Sequence, residues 1–123
     1  MVLVGIIIRR VIKIELWQEI TEKQKMLDKA IKELAQNGYK LAECERDYKI
    51  AVNKKALELR SQDVPVTLIN QVIYGYEDIA KLRFERDTAQ VKYNANLEYI
   101  QTIKLMIRIL ENQLSREYGN TKN

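Results

Sequence analysis

The chain has no histidine and one cysteine, Cys44. Without imidazole it lacks the commonest general base near neutral pH, and a lone thiol cannot close a disulfide within the chain or complete a Cys/His zinc site. Its only serines are Ser61 and Ser115, with no histidine to activate either. No glycine-rich phosphate loop is present. Glu43, Glu45 and Asp47 form an acidic cluster, but residues two apart on a helix point in different directions, which argues against a metal site. Trp17, Tyr48 and Tyr93 are of the type that stacks on bases. They fall at seam positions of a seven-residue repeat, where an aromatic is more often core. Cys44 sits beside that seam, where it reads as a small apolar filler. We therefore expect no enzyme: no catalytic residues, no cofactor and no bound metal.

What must position these side chains is a single modest domain of 123 residues. Four glycines and one proline punctuate two or three long elements and are too few for a many-stranded sandwich or barrel. An apolar content of 46% is enough to offset ordering entropy, which excludes a disordered chain. The net charge of +4 is unevenly placed, since Arg9, Arg10 and Lys13 lie in the first thirteen residues and the remainder is nearly neutral. Elsewhere opposite charges alternate at helical spacing, as in Glu19/Lys23, Asp28/Lys32, Glu45/Lys49 and Glu77/Lys81. That pattern describes a solvated helix surface rather than a face for phosphates.

Residues 1–13 stand apart. Val2–Ile8 is apolar and β-branched, Arg9-Arg10 comes immediately after, and the run is too short to span a bilayer. The charges lie after the apolar run and no small-residue cleavage site comes after it, so it makes a poor signal peptide. A short pairing strand and a weak membrane-surface anchor are two readings. We place ahead of them a disordered or non-native segment, with translation starting near Val11.

From Ile14 to about Ser61 the pattern is helical with a period of seven. Position a falls on Trp17, Gln24, Ile31, Gly38, Glu45, Val52 and Leu59, and position d on Ile20, Leu27, Leu34, Leu41, Tyr48 and Lys55. Asn37-Gly38 ordinarily signals a turn, yet the register is the same on both sides of it, which predicts one continuous helix. The break comes at Ser61-Gln62-Asp63-Val64-Pro65, with a short helix over 65–74 inside a connecting segment 62–75. Leu68, Ile69, Val72 and Ile73 form its apolar side. A second long helix, about 76–118, has a at Ile79, Arg86, Tyr93, Ile100, Ile107 and Leu114, and d at Leu82, Ala89, Asn96, Ile103, Leu110 and Glu117. Gly119 reads as its terminator and 120–123 as a polar tail. The expected fold is all-α: a long, coiled-coil-like antiparallel helical hairpin over 14–119.

One hairpin seam leaves apolar surface over. Six of the eight residues from Ile103 to Leu110 are apolar, and Leu105 and Ile109 face away from the seam, with Phe84 and Val91 extending the same outer line. Phe84, Val91, Leu105, Met106 and Ile109 are thus the candidate oligomer or partner surface. A homodimer forming a four-helix bundle is the commoner way to cover such a line, and a groove for a different protein is the other. Glu45 and Arg86 both fall at a and read as a polar pair in the seam. At the tip, Asn70, Gln71, Tyr74 and Tyr76 are candidates for partner contact.

The blocks VPVTLINQVIYG (64–75), LRFERDTAQVKYNANLEYI (82–100) and IKLMIRILENQLSREYG (103–119) resemble a family of small all-helical proteins encoded by phages and prophages of Gram-positive bacteria. The resemblance covers roughly 14–119 and carries no assigned chemistry, so it transfers no site residues. It implies a phage accessory protein in the cytoplasm of a bacterial host, a reducing compartment in keeping with one cysteine. The function expected is a non-enzymatic interaction or adaptor protein, a homodimer that binds a protein of phage or host. Inhibition of a host defence system, or service to phage DNA replication or recombination, would suit it. A nucleic-acid-binding accessory factor and a virion structural spacer are the alternatives.

Overall fold

The computed structural model describes residues 2–120. Three α-helices and one 3₁₀ turn make up its regular structure, and no strand occurs among the described residues: α1 (Val2–Ser61), α2 (Val66–Val72), the 3₁₀ turn Ile73–Gly75, and α3 (Glu77–Asn120). The fold is all-α, as the spacing predicts.

Helix α1 runs unbroken through Asn37-Gly38, as the constant register requires. It also begins at Val2, so residues 2–13 are helical rather than a disordered tail or a short strand. No proline interrupts Val2–Lys13, valine and isoleucine cost a helix only tenths of a kcal/mol each, and extending an existing helix avoids the cost of nucleation. At its other end α1 stops in a Schellman motif. The Val64 N–H donates to the Leu59 carbonyl (3.1 Å) and the Asp63 N–H to that of Arg60 (3.1 Å). Asp63 takes the left-handed conformation this cap demands, with φ at 63°. Val64, the residue after the cap, packs on the cluster of Leu59, Ile69 and Ile73. Pro65 then sits at the N-cap of α2 rather than inside it, in extended backbone. Ile69 and Ile73 are buried there, whereas Leu68 and Val72, read as part of the same apolar side, are exposed. Glu77 and Asp78 open α3, where negative charge complements the helix dipole. Gly119 does not terminate α3, which reaches Asn120; the rest of the polar tail, 121–123, lies outside the described residues.

The chain divides into two compact units. The first joins α1 up to Glu33 with α3 from Asn96. Lys13 lies 4.5 Å from the centre of the Tyr118 ring and Asn96 bonds Ala30, so these two stretches run antiparallel. Ile20, Ala30, Ile100, Ile103 and Leu114 are buried in it. Asn96 is buried with them, and its Nδ2 donates to the Ala30 carbonyl at 3.1 Å. A buried amide held this way fixes one helix against the other along their length. The second unit, Leu34–Ala95, contains the connecting segment. Gly38 faces Tyr93, Tyr48 faces Arg86 and Lys55 faces Asp78, again an antiparallel order.

On α3 all twelve a and d positions are buried or half-buried, as read from the sequence. On α1 the d stripe is correct, and the a stripe is correct from Gly38 onward but not before it. Trp17, Gln24 and Ile31 are exposed, and Leu16, Lys23 and Ala30, one position earlier at g, line the interface of the first unit. In the second unit g and a share the interface, with Cys44 buried, Ala51 half-buried, and Gly38, Glu45 and Val52 half-buried beside them. At Gly38 the missing side chain admits the Tyr93 ring, so packing there follows size complementarity rather than the largest apolar residue available.

Candidate interaction surfaces

In the second unit, α3 presents Phe84 and Val91 on its outer side, 71% and 68% exposed. They are seven apart, two turns of helix, and so lie on one line. Thr88, on the same side between them, turns its hydroxyl inward to donate to the Phe84 carbonyl at 2.7 Å, which leaves the line without a competing donor there. Phe84 borders an open groove of about 420 Å³ with Lys40, Thr88, Ala89 and Lys92 around it and buried Cys44 on its floor. The thiol fills space between the helices, as its position beside the seam suggests.

In the first unit, Leu105, Met106 and Ile109 are each between 42% and 53% exposed. The interior neighbours Ile103 and Ile107 take the seam, so the six apolar residues of this stretch divide between two sides. All five residues read from the sequence as outward-facing are therefore exposed, two in the second unit and three in the first. Sequence reading missed other exposed apolar residues. Ile50 and Leu57 on α1 are 46% and 66% exposed and also seven apart, the signal that identified Phe84 and Val91. Trp17, at an a position, was expected in the core and is 53% exposed, beside Ile14 and Thr21.

The polar seam pair is not formed as expected. Arg86 turns to Asp87, with Nη2 at 2.7 Å and Nε at 3.0 Å from the same carboxylate oxygen, and its guanidinium lies over the Tyr48 ring at 4.6 Å. Glu45 adds to the field, but the ion pair is with Asp87, the next residue on the same turn. The Asp87 hydrogen bond, with these charges behind it, holds the Arg86 pKa above its ordinary value.

At the tip, Asn70, Gln71, Tyr74 and Tyr76 are all exposed. Both tyrosines are held by cations, Tyr74 with Arg83 at 5.5 Å and Tyr76 with Lys55 at 4.9 Å from ring centre. Lys55 also reaches Asp78 at 3.3 Å and Glu58 at 3.8 Å. The Asp78 hydrogen bond, outweighing partial desolvation, raises the Lys55 pKa above 10.5, so its ammonium stays charged through neutral pH. The tip thus has a fixed aromatic edge with amide side chains beside it, on a base closed by Ile69 and Ile73.

Among the described residues no group of three or more His, Cys, Asp or Glu side chains could hold a metal ion, and no helix is long and apolar enough to cross a membrane. No family model matches the chain, and neither a curated protein nor a solved structure does.

Proposed function

We propose that the chain is a non-enzymatic interaction protein: a homodimer, in a four-helix bundle, that binds a second protein through its exposed tip. One observation carries the reading. Phe84 and Val91 stand about two-thirds exposed on a line that the intramolecular packing does not use. Isolated apolar residues on a surface need no explanation, but a heptad-spaced pair on a helix is what a neighbouring helix covers. The dimer takes this line, which leaves Asn70, Gln71, Tyr74 and Tyr76 for the partner. The resemblance of 64–75, 82–100 and 103–119 to phage and prophage proteins supports a phage accessory role in the bacterial cytoplasm, directed at a host defence system or at phage DNA replication or recombination.

Size exclusion with light scattering tests the first half. The wild type is expected at twice the chain mass of 14.5 kDa, and Phe84→Glu/Val91→Glu at one chain mass with its helix content retained. A wild type at one chain mass would sink the dimer, and both proteins at twice that mass would sink this line as its interface. Pull-down from infected cells with Tyr74→Ala/Gln71→Ala tests the second half, the expected result being loss of a protein that the wild type retains. Retention of nucleic acid that weakens steeply with salt would instead establish the nucleic-acid reading, and recovery of the chain in purified particles the virion one.

A further inference from the structure

The first turns of α1 place their side chains in a pattern that neither the helix pairing nor the proposed dimer uses. At 100° per residue, Leu3, Val4, Ile7, Ile8, Val11 and Ile14 fall within an arc of about 140°. All six are between 47% and 69% exposed. Arg9, Arg10 and Lys13 fall outside that arc, and no acid occurs before Glu15. Lys13 is opposite Tyr118, while α3 is described only to Asn120. Residues before about Val11 therefore extend past the described end of the helix beside them.

We propose that Val2–Ile14 is an interfacial helix that lies on an anionic lipid surface, with its apolar arc in the headgroup–acyl boundary and Arg9, Arg10 and Lys13 at the headgroups. Interfacial helices combine a large apolar face with cationic residues on the remaining side, and their binding sums apolar burial and attraction to anionic lipid. The charges decide against a second copy as occupant. Two such segments brought together would bring six cations and no acid within 2–14 to balance them. An anionic surface neutralises all three cations of one segment.

Lipid binding by this helix is independent of the dimer and the tip, and the full chain tests it. Flotation with vesicles of phosphatidylglycerol and phosphatidylcholine is expected to carry the protein, with binding that falls as salt rises, and vesicles of phosphatidylcholine alone to carry far less. Arg9→Gln/Arg10→Gln should lower partitioning by more than tenfold, about fivefold for each cation. Ile7→Ser/Ile8→Ser should abolish it, with helix content and oligomeric mass unchanged, because neither residue belongs to the helix pairing. No flotation at low salt, equal binding to neutral vesicles, or a loss of oligomer mass in Ile7→Ser/Ile8→Ser without vesicle binding would each overturn the proposal, the last by giving the face to a second copy.

Discussion

Helices α1 and α3 fill their interface from residues of different size. Along α3 the buried hydrophobic residues are large, Ile79, Ile100, Ile103 and Leu114, except at Ala89. Along α1 the buried residues include Ala30 and Cys44, and several of the large ones, Trp17, Ile31 and Leu57 among them, point outward. A small residue on one helix admits a large one from the other, so only one of the two needs bulk at a given level. Heptad position is a reliable guide to the interface along α3, whereas on α1 it fails at Trp17 and Ile31, where the residue one position earlier is the one turned inward.

The largest effect expected from this contrast separates two isoleucines of the first unit. Ile103 is 1% exposed and Ile31 47%. Ile103→Ala should cost about 3 kcal/mol through lost burial and an unfilled cavity. Ile31→Ala, although at an a position of the repeat, should stay within about 0.5 kcal/mol of wild type. Urea denaturation monitored by circular dichroism measures both. Comparable losses would return Ile31 to the interface and undo the phase assigned to α1.

A smaller effect of opposite logic is expected at Ala30. In the structure Ala30 is 1% exposed and its carbonyl accepts the Asn96 amide. Ala30→Leu should destabilise by about 1–3 kcal/mol, since extra volume forces the helices apart and strains that hydrogen bond. A stabilised Ala30→Leu would mean the two helices are not closely packed at this level.

These residues also show where the sequence was readable. The register of α3 was, because Ile, Leu and Tyr recur at its a and d positions with polar residues between. So was the outer line, since Phe84 and Val91 break the polar side of that pattern. The break before Pro65 was legible from proline's own geometry, and the continuity of α1 through Gly38 from unchanged phase. The a stripe of α1 before Gly38 was not, because the choice between Ile31 and Ala30 depends on what α3 brings opposite each, and a single helix's periodicity does not contain its neighbour. Arg86 was misassigned for a related reason. Its heptad position suggested Glu45, but Asp87 is next to it in the chain and meets it without any cross-helix geometry. The helical start at Val2 was missed because composition set 1–13 apart, whereas helix formation there needs only continuity with the helix from Ile14 onward.

The smallest expected effect sharpens the comparison at the level of one methyl group. Gly38 is the least bulky residue of the α1 interface, and its backbone is helical with no positive φ. Glycine in a helix interior costs about 1 kcal/mol relative to alanine, which is the gain open to Gly38→Ala. Against it stands the Tyr93 ring, whose Cε2 would lie 3.4 Å from the new Cβ, at the near edge of ordinary van der Waals contact. Tyr93 is half-buried, so its ring can yield by a small fraction of an ångström. The balance should be a stabilisation of a few tenths up to about 1 kcal/mol, a rise of a few degrees in Tm for a domain of this size. If the variant instead melts lower, the Tyr93 edge is fixed in place. The small-for-large exchange between α1 and α3 would then be as strict at Gly38 as the one expected at Ala30.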